Sequence, residues 1–153
     1  LFFMAERYHQ LKNLKEQDLF QPQVISDYFF VKSKLFAKNN LKNDEVQLFN
    51  RLFDIMFSSV SKPDLVVYLY AEISRLQRNI KKRGRDFEQN ISNYYLQNIQ
   101  EKYLDYLRKQ DIFPVLIIDV TNVDFVIDID VYHSIKKFLE INYHKGIHHK
   151  SFS

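Results

Sequence analysis

Residues 114–120 read PVLIIDV, and residues 63–71 read PDLVVYLYA. In both runs the apolar residues fall on successive positions and do not alternate with polar ones. A strand of that kind is buried on both faces, as in a parallel sheet with helices on each side. Each run is entered through a proline, which biases the preceding residue away from helix and lacks a ladder donor, so it suits a strand entrance. Pro22 leads a third run, QVISDYFF, which is expected to form another strand by the same rule.

Helical patterns fill the intervals. Asn43 is expected to cap a helix whose first turn carries Asp44 and Glu45, with Val46, Phe49, Leu52, Phe53, Met56 and Phe57 inward. Ser74 is expected to cap a shorter helix ending near Arg83, with Gly84 free to take the left-handed stop. Ser92 caps a long helix through about Lys109, and Asp130 begins a last one through Ile135, Phe138 and Leu139. Strands alternating with helices argue for an α/β fold with a mostly parallel sheet. Residues 1–142 are expected to form one domain and 143–153 a flexible tail. The start, LFFMAERYHQLKNL, reads as the middle of a helix with no capping residue before it, so the expectation is a chain cut at its beginning.

Composition narrows the function. The 153 residues are 46% hydrophobic with a net charge of only +3, so a packed globular domain is expected and a nucleic-acid partner is not. No apolar run reaches about 18 residues, so no membrane partner is expected either. Cysteine is absent, which removes disulfides, thiolate metal sites and cysteine nucleophiles and fits a reducing cytoplasm. No Ser-His-Asp set with a nucleophile turn appears. His144, His148 and His149 have a spacing that suits a metal on a helix, but Gly146 interrupts it, so no metal site is assigned.

In open α/β sheets ligands bind beyond the carboxyl ends of the strands. That rule points to Asp27, to the segment after VVYLYA, and to Asp119 through Phe125. One short helix past VVYLYA lies IKKRGRDFEQ, Ile80–Gln89. Arginine suits phosphate because its planar fork donates two hydrogen bonds and stays charged. A glycine between two arginines lets both converge on one anion. The alternative is a solvated helix end, where cations favour the dipole.

The longer run KPDLVVYLYAEISRLQRNIKKRGRDFEQNISNYYLQNIQEKY resembles the deoxynucleoside kinase family, above all the bacterial deoxyguanosine and deoxyadenosine kinases. In that family a KRGR lid followed by an aromatic residue and glutamate comes after a PD-L strand. Here these are Pro63-Asp64-Leu65, then Lys82-Arg83-Gly84-Arg85 with Phe87-Glu88, then Tyr95-Leu96 and Tyr103. FFMAERYHQL resembles the family's arginine-bearing helix, VISDYFF its third strand, and LIIDVTNVDFV its final strand and base loop. The resemblance covers about Leu1 to Glu140. It implies a three-layer, P-loop-kinase-like parallel sheet flanked by helices and incomplete at the N-terminus.

It also implies roles. Arg83 and Arg85 are the lid arginines that stabilise the transferring phosphate, with Lys82 adding field on the ATP. Arg7 helps read the nucleobase, Asp27 is the strand-end acid of the nucleoside site, and Glu88 approaches the sugar. Asn122, Asp124 and Phe125 belong to the loop around adenine. The substrates implied are ATP, with Mg2+, and a deoxynucleoside, purine preferred, in nucleotide salvage; a homodimer is implied as well. Each residue has a plainer reading: Arg7 as an ion-paired helix residue, Asp27 as a turn cap, Glu88 as a counter-charge for the arginines, Asp124-Phe125 as a turn and a core plug.

The sequence departs from the family in places. Tyr28 stands where an arginine is usual, with Lys32 as a substitute charge. Asn79 stands at another common arginine position, with Arg78 beside it. No G-x-x-x-x-G-K-[ST] phosphate loop occurs, nor the acidic stretch that supplies the family's general base. The resemblance places both before Leu1. The 153 residues alone are therefore expected not to phosphorylate a nucleoside. Two other classes stay open: a nucleoside-binding or regulatory module without phosphoryl transfer, and a monophosphate kinase with an arginine-rich lid.

Overall fold

The computed structural model describes residues 2–14 and 24–152. The chain divides into two compact units, residues 1–62 and 63–153.

The first unit is helical: α1 (Phe2–Leu14), α2 (Val31–Asn40) and α3 (Asn43–Ser59). α3 is amphipathic as expected, and its Phe49 and Phe53 are buried. Phe53 stacks on Phe30 at 5.1 Å, on Phe57 at 5.4 Å and on Phe49 at 6.5 Å between ring centroids. Asn43 is the first helical residue and not the cap. That place falls to Lys42, whose backbone N–H donates to Glu45 Oε2 at 2.8 Å. The strand expected after Pro22 does not form. Pro22 and Gln23 lie outside the described residues, and Val24–Asp27 are exposed, Ile25 at 92%. A strand exists only where a neighbour supplies its ladder, and none does so among the described residues. α2, unforeseen in the sequence, follows directly.

The second unit is α/β. Its strands β1 (Val66–Tyr70), β2 (Pro114–Asp119) and β3 (Gly146–Lys150) form a parallel sheet in the order β1-β2-β3. Val66 pairs with Val115, and Pro114 with Gly146. Helices α4 (Ile73–Arg83), α5 (Asn93–Lys109) and α6 (Ile129–Leu139) flank it, with a 3-10 turn at Asp86–Glu88. On one face Leu116, Ile118 and Val120 are buried under Leu76 of α4 and Ile135 and Phe138 of α6. On the other, Tyr68 meets Tyr103 of α5 at 5.9 Å.

β2 is buried on both faces, as its apolar run predicts. β1 is not: Val67 and Leu69 are 37% and 44% exposed, so only its α5-facing side is covered. β1 is an edge strand among the described residues. β3 falls within the segment expected to be a flexible tail. Its sequence, GIHHK, lacks the β-branched run that announces a strand, and pairing with β2 makes it one. The strand puts His148 and His149 on opposite faces, and among the described residues no three His, Asp or Glu side chains gather to hold a metal.

The caps follow local chemistry. Ser92 Oγ accepts from Tyr95 N–H at 3.1 Å, as expected. α4 starts after Glu72 and not at Ser74, because Glu72 N–H is tied to the buried Thr121 hydroxyl at 3.1 Å. α6 is capped by Asp128, which accepts from Asp130 and Val131 N–H, and Asp130 sits inside the first turn. Gly84 ends α4 with φ +68°, a conformation that a side chain disfavours.

Burial raises the phenol pKa of Tyr68 and Tyr106, with a Gln100 hydrogen bond opposing it at Tyr68. A phenol with a raised pKa binds its proton more tightly in the folded state. Its stabilising contribution is full below the unfolded value of about 10 and is lost as pH rises through the folded value. The melting temperature is expected to fall above about pH 10, and less steeply in Tyr68→Phe. A variant slope equal to the wild type would remove Tyr68 from the account.

Candidate functional site

Two cavities collect most of the predicted residues, one in each unit. The first, of about 820 Å3, lies within residues 1–62. Its apolar walls are Met4, Phe36, Ala37, Leu41, Leu48 and Phe49; its polar groups are Arg7, Asp27, Tyr28, Lys32, Ser33 and Glu45. The helical spacing of α1 puts Met4 and Arg7 on one side, one turn apart. The Arg7 guanidinium stands 5.1 Å from the Tyr28 ring centroid, and its Nη1 donates to Gln10 Oε1 at 2.7 Å. A cation over an aromatic face is held by the ring quadrupole. Tyr28 is anchored in turn: its hydroxyl lies 2.5 Å from Ser33 Oγ, and its N–H donates to Ser26 Oγ at 3.2 Å.

Tyr28, at the usual arginine position, therefore presents an aromatic face to Arg7 instead of a second charge. Lys32, named in the sequence as a substitute charge, lines the same cavity. Sequence reasoning missed Phe36, Leu48 and Glu45. Phe36 lies on α2, which was unforeseen; Glu45 was read only as a first-turn acid of α3, and Leu48 falls off that helix's inward stripe. Phe49 was read as core, and it serves both as core and as cavity wall.

The second cavity, of about 470 Å3, lies within residues 63–153 at the carboxyl ends of β1 and β2, where Ala71 and Val120 form its floor. One wall is a stripe of α4: Arg75, Asn79, Lys82 and Arg83. The opposite wall is Val123 to Ile127, including Asp124 and Phe125. Asn122, predicted with them, is exposed and does not line it. Asp124 is held on both oxygens: Oδ1 accepts from Val126 N–H at 3.2 Å, and Oδ2 lies 3.9 Å from Arg75 Nη2. Phe125 packs against the buried cluster of β2 while bordering the cavity. The turn-and-plug reading of this pair and the site reading thus describe the same atoms.

The residues expected to form a lid converge on one another. Glu88 Oε2 is 2.7 Å from Arg83 Nη2, an ion contact outside hydrogen-bond alignment, and Oε1 accepts from Arg85 Nη1 at 3.4 Å. The Glu88 side chain is only 13% exposed against 50% and 55% for its two partners. Gln89 fastens the turn by donating to the carbonyls of Ile80 and Arg85. Arg85 and Glu88 line neither cavity. The described arrangement joins Arg83 to Arg85 through an internal carboxylate, as the counter-charge reading of Glu88 expects, and it gives both arginines one focus.

The family model for deoxynucleoside kinase matches residues 1–143. The chain is similar to deoxyguanosine kinase of Bacillus subtilis, 30% identical over 84% of this chain and 64% of that protein. It is similar to deoxyadenosine kinase of Lactobacillus acidophilus at 24%, over 86% of this chain and 67% of the relative. It is also similar to deoxyadenosine/deoxycytidine kinase of Bacillus subtilis at 23%, over 84% and 61%. The match thus spans less than two thirds of the Bacillus subtilis proteins. With the family model covering residues 1–143, the chain belongs to the deoxynucleoside kinase family.

Proposed function

We propose that this chain supplies the nucleoside pocket and the lid and base loop of a cytoplasmic, ATP-dependent deoxynucleoside kinase acting in nucleotide salvage, with a purine deoxynucleoside as acceptor and a homodimer as its assembly. The observation that carries the reading is the cavity of about 820 Å3 that brings Arg7, Asp27 and Tyr28 together between apolar walls. Ligand pockets commonly span ~300–1,000 Å3, mostly apolar with a few converging polar groups. Arg7 offers donors to base-edge acceptors, Asp27 offers acceptors to amino or hydroxyl groups, and Phe36 and Phe49 are apolar surface for a ring system. A purine nucleoside is named as substrate in each of the three relatives above.

In the reaction the 5′-hydroxyl oxygen bonds to the γ-phosphorus of ATP, the bond to the bridging oxygen breaks, and ADP leaves. Lys82 and Arg83, which line the second cavity, would take the donor phosphates together with Arg85 once Glu88 releases the two arginines. Their part is electrostatic, since charge spreads over the transferring oxygens. Among the described residues no carboxylate cluster fits a magnesium ion, so no step is assigned through one. No residue here is assigned as general base.

Calorimetry of the 153-residue chain with deoxyguanosine, deoxyadenosine, deoxycytidine and deoxyguanosine monophosphate tests the pocket. Purine deoxynucleosides are expected to bind best, and Arg7→Ala or Asp27→Asn to weaken them by about tenfold, as for a lost charged hydrogen bond. Tighter binding of the monophosphate than of the nucleoside would favour a monophosphate kinase instead.

A second reading concerns the 153 residues by themselves. Their only glycines are Gly84 and Gly146, so no phosphate loop is encoded here, and binding without phosphoryl transfer is the activity proposed for this length of chain. ATP turnover with deoxyguanosine by the 153 residues would overturn it.

A further inference from the structure

Asn79 leaves a gap in the cationic stripe that lines the second cavity, and Arg78 does not fill it. Arg78 is exposed and off the cavity. Helical geometry shows why: positions i, i+4, i+7 and i+8 share a face, which joins Asn79 with Arg75, Lys82 and Arg83 and turns Arg78 away. The cation nearest to Asn79 on that face, towards the helix start, is Arg75. Its Nη2 donates to the Val123 carbonyl at 3.3 Å and stands 3.9 Å from Asp124 Oδ2. Its side chain is 26% exposed.

We infer that Arg75 is a positioning residue of the donor pocket, tying the helix that carries the lid to the loop that meets the base; this rests on reading the second cavity as the donor site. Three observations place the strap. Arg75 is the only residue of α4 bonded to the 121–125 loop through its side chain among the described contacts. Asp124 has both oxygens engaged, one by Arg75 and one by the loop's own backbone, so what the loop offers a ligand is mainly backbone and the Phe125 ring. The loop is otherwise secured near its start, where Thr121 Oγ1 accepts from Glu72 N–H and Thr121 N–H donates to Asp119 Oδ1 at 2.9 Å. Removing Arg75 leaves that first anchor and the packing of Val123 and Phe125 on the buried cluster, but takes away the loop's side-chain tie to α4. A ligand that uses only Lys82 and Arg83 keeps its partners. A ligand whose base lies against the loop loses a fixed wall.

The test compares ATP with inorganic tripolyphosphate by calorimetry on the 153-residue chain. In Arg75→Ala the ATP affinity is expected to fall by about tenfold or more, while tripolyphosphate stays within about twofold. Arg75→Lys is expected to recover part of the loss, since one ammonium reaches the carbonyl or the carboxylate but does not match the guanidinium fork. Equal losses for both ligands would make Arg75 a phosphate contact and overturn the inference, as would an ATP affinity that does not change. Wild-type chain that binds no ATP overturns the donor-site reading along with it, whereas wild-type binding with an indifferent Arg75→Ala overturns this inference alone. Should the alanine variant fail to fold, Arg75→Gln carries the same two-ligand comparison against the lysine variant.

Discussion

Phe53→Ala is expected to destabilise the helical unit by about 3–5 kcal/mol, the range for removing a buried phenylalanine ring. Phe53 is 2% exposed and touches three other rings, those of Phe30, Phe49 and Phe57. Each ring pair adds about 0.5–1.5 kcal/mol beyond the area it buries. The Lys34 ammonium also lies over its face at 4.8 Å while pairing with Asp54 at 3.1 Å, so truncation strips that cation of its ring. Because Phe49 lines the cavity proposed for the nucleoside, the loss should extend to binding: deoxyguanosine affinity should drop together with the urea midpoint. A Phe53→Leu variant, which refills most of the volume, should recover much of both. An unchanged midpoint in Phe53→Ala would show that the ring stack is not the core of this unit.

Arg83→Ala is expected to lower affinity for tripolyphosphate by roughly ten- to a hundredfold, the worth of a charge-assisted hydrogen bond to phosphate. Glu88 changes the sign of its own substitution. It holds Arg83 and Arg85 in the described structure, so an incoming phosphate competes with it. Glu88→Gln should therefore raise tripolyphosphate affinity by about two- to fivefold, in line with ion pairs this exposed. If Glu88 also contacts the sugar, the same variant should weaken deoxynucleoside binding, and the two ligands would move in opposite directions. A fall for both would point instead to a collapsed lid turn.

The sheet centre was legible because burial on two faces requires an unbroken apolar run, and Val115 to Ile118 are apolar at every step and all are buried. The end of α4 was legible because a glycine among cations suits a left-handed stop, which Gly84 makes, and an acid three residues past Arg85 suits a counter-charge, which Glu88 supplies to Arg83 and Arg85. What failed was context. QVISDYFF has strand propensity but no ladder partner among the described residues, and GIHHK has little propensity yet finds one in β2. Propensity describes a residue's own preference, while pairing is a property of its neighbours. Arg75 was hidden for a similar reason. Its sequence neighbours are unremarkable, and its meaning comes from Val123 and Asp124, which are forty-eight and forty-nine residues further along.

The parallel order of the sheet has a kinetic consequence. Val66 meets Val115 and Pro114 meets Gly146, so the two ladders join residues 49 and 32 positions apart, across long crossovers. Chain entropy must be spent on those loops before any strand contact is rewarded. Within the helical unit, Phe53 and Phe57 are one turn apart and α2 joins α3 through a two-residue link. Refolding from denaturant should thus run in two tempos, a fast phase in helical signal and a slower one as the sheet closes. During the slow phase β1 is exposed with apolar Val67 and Leu69 uncovered, so losses on refolding at high protein concentration should grow with the lifetime of that phase.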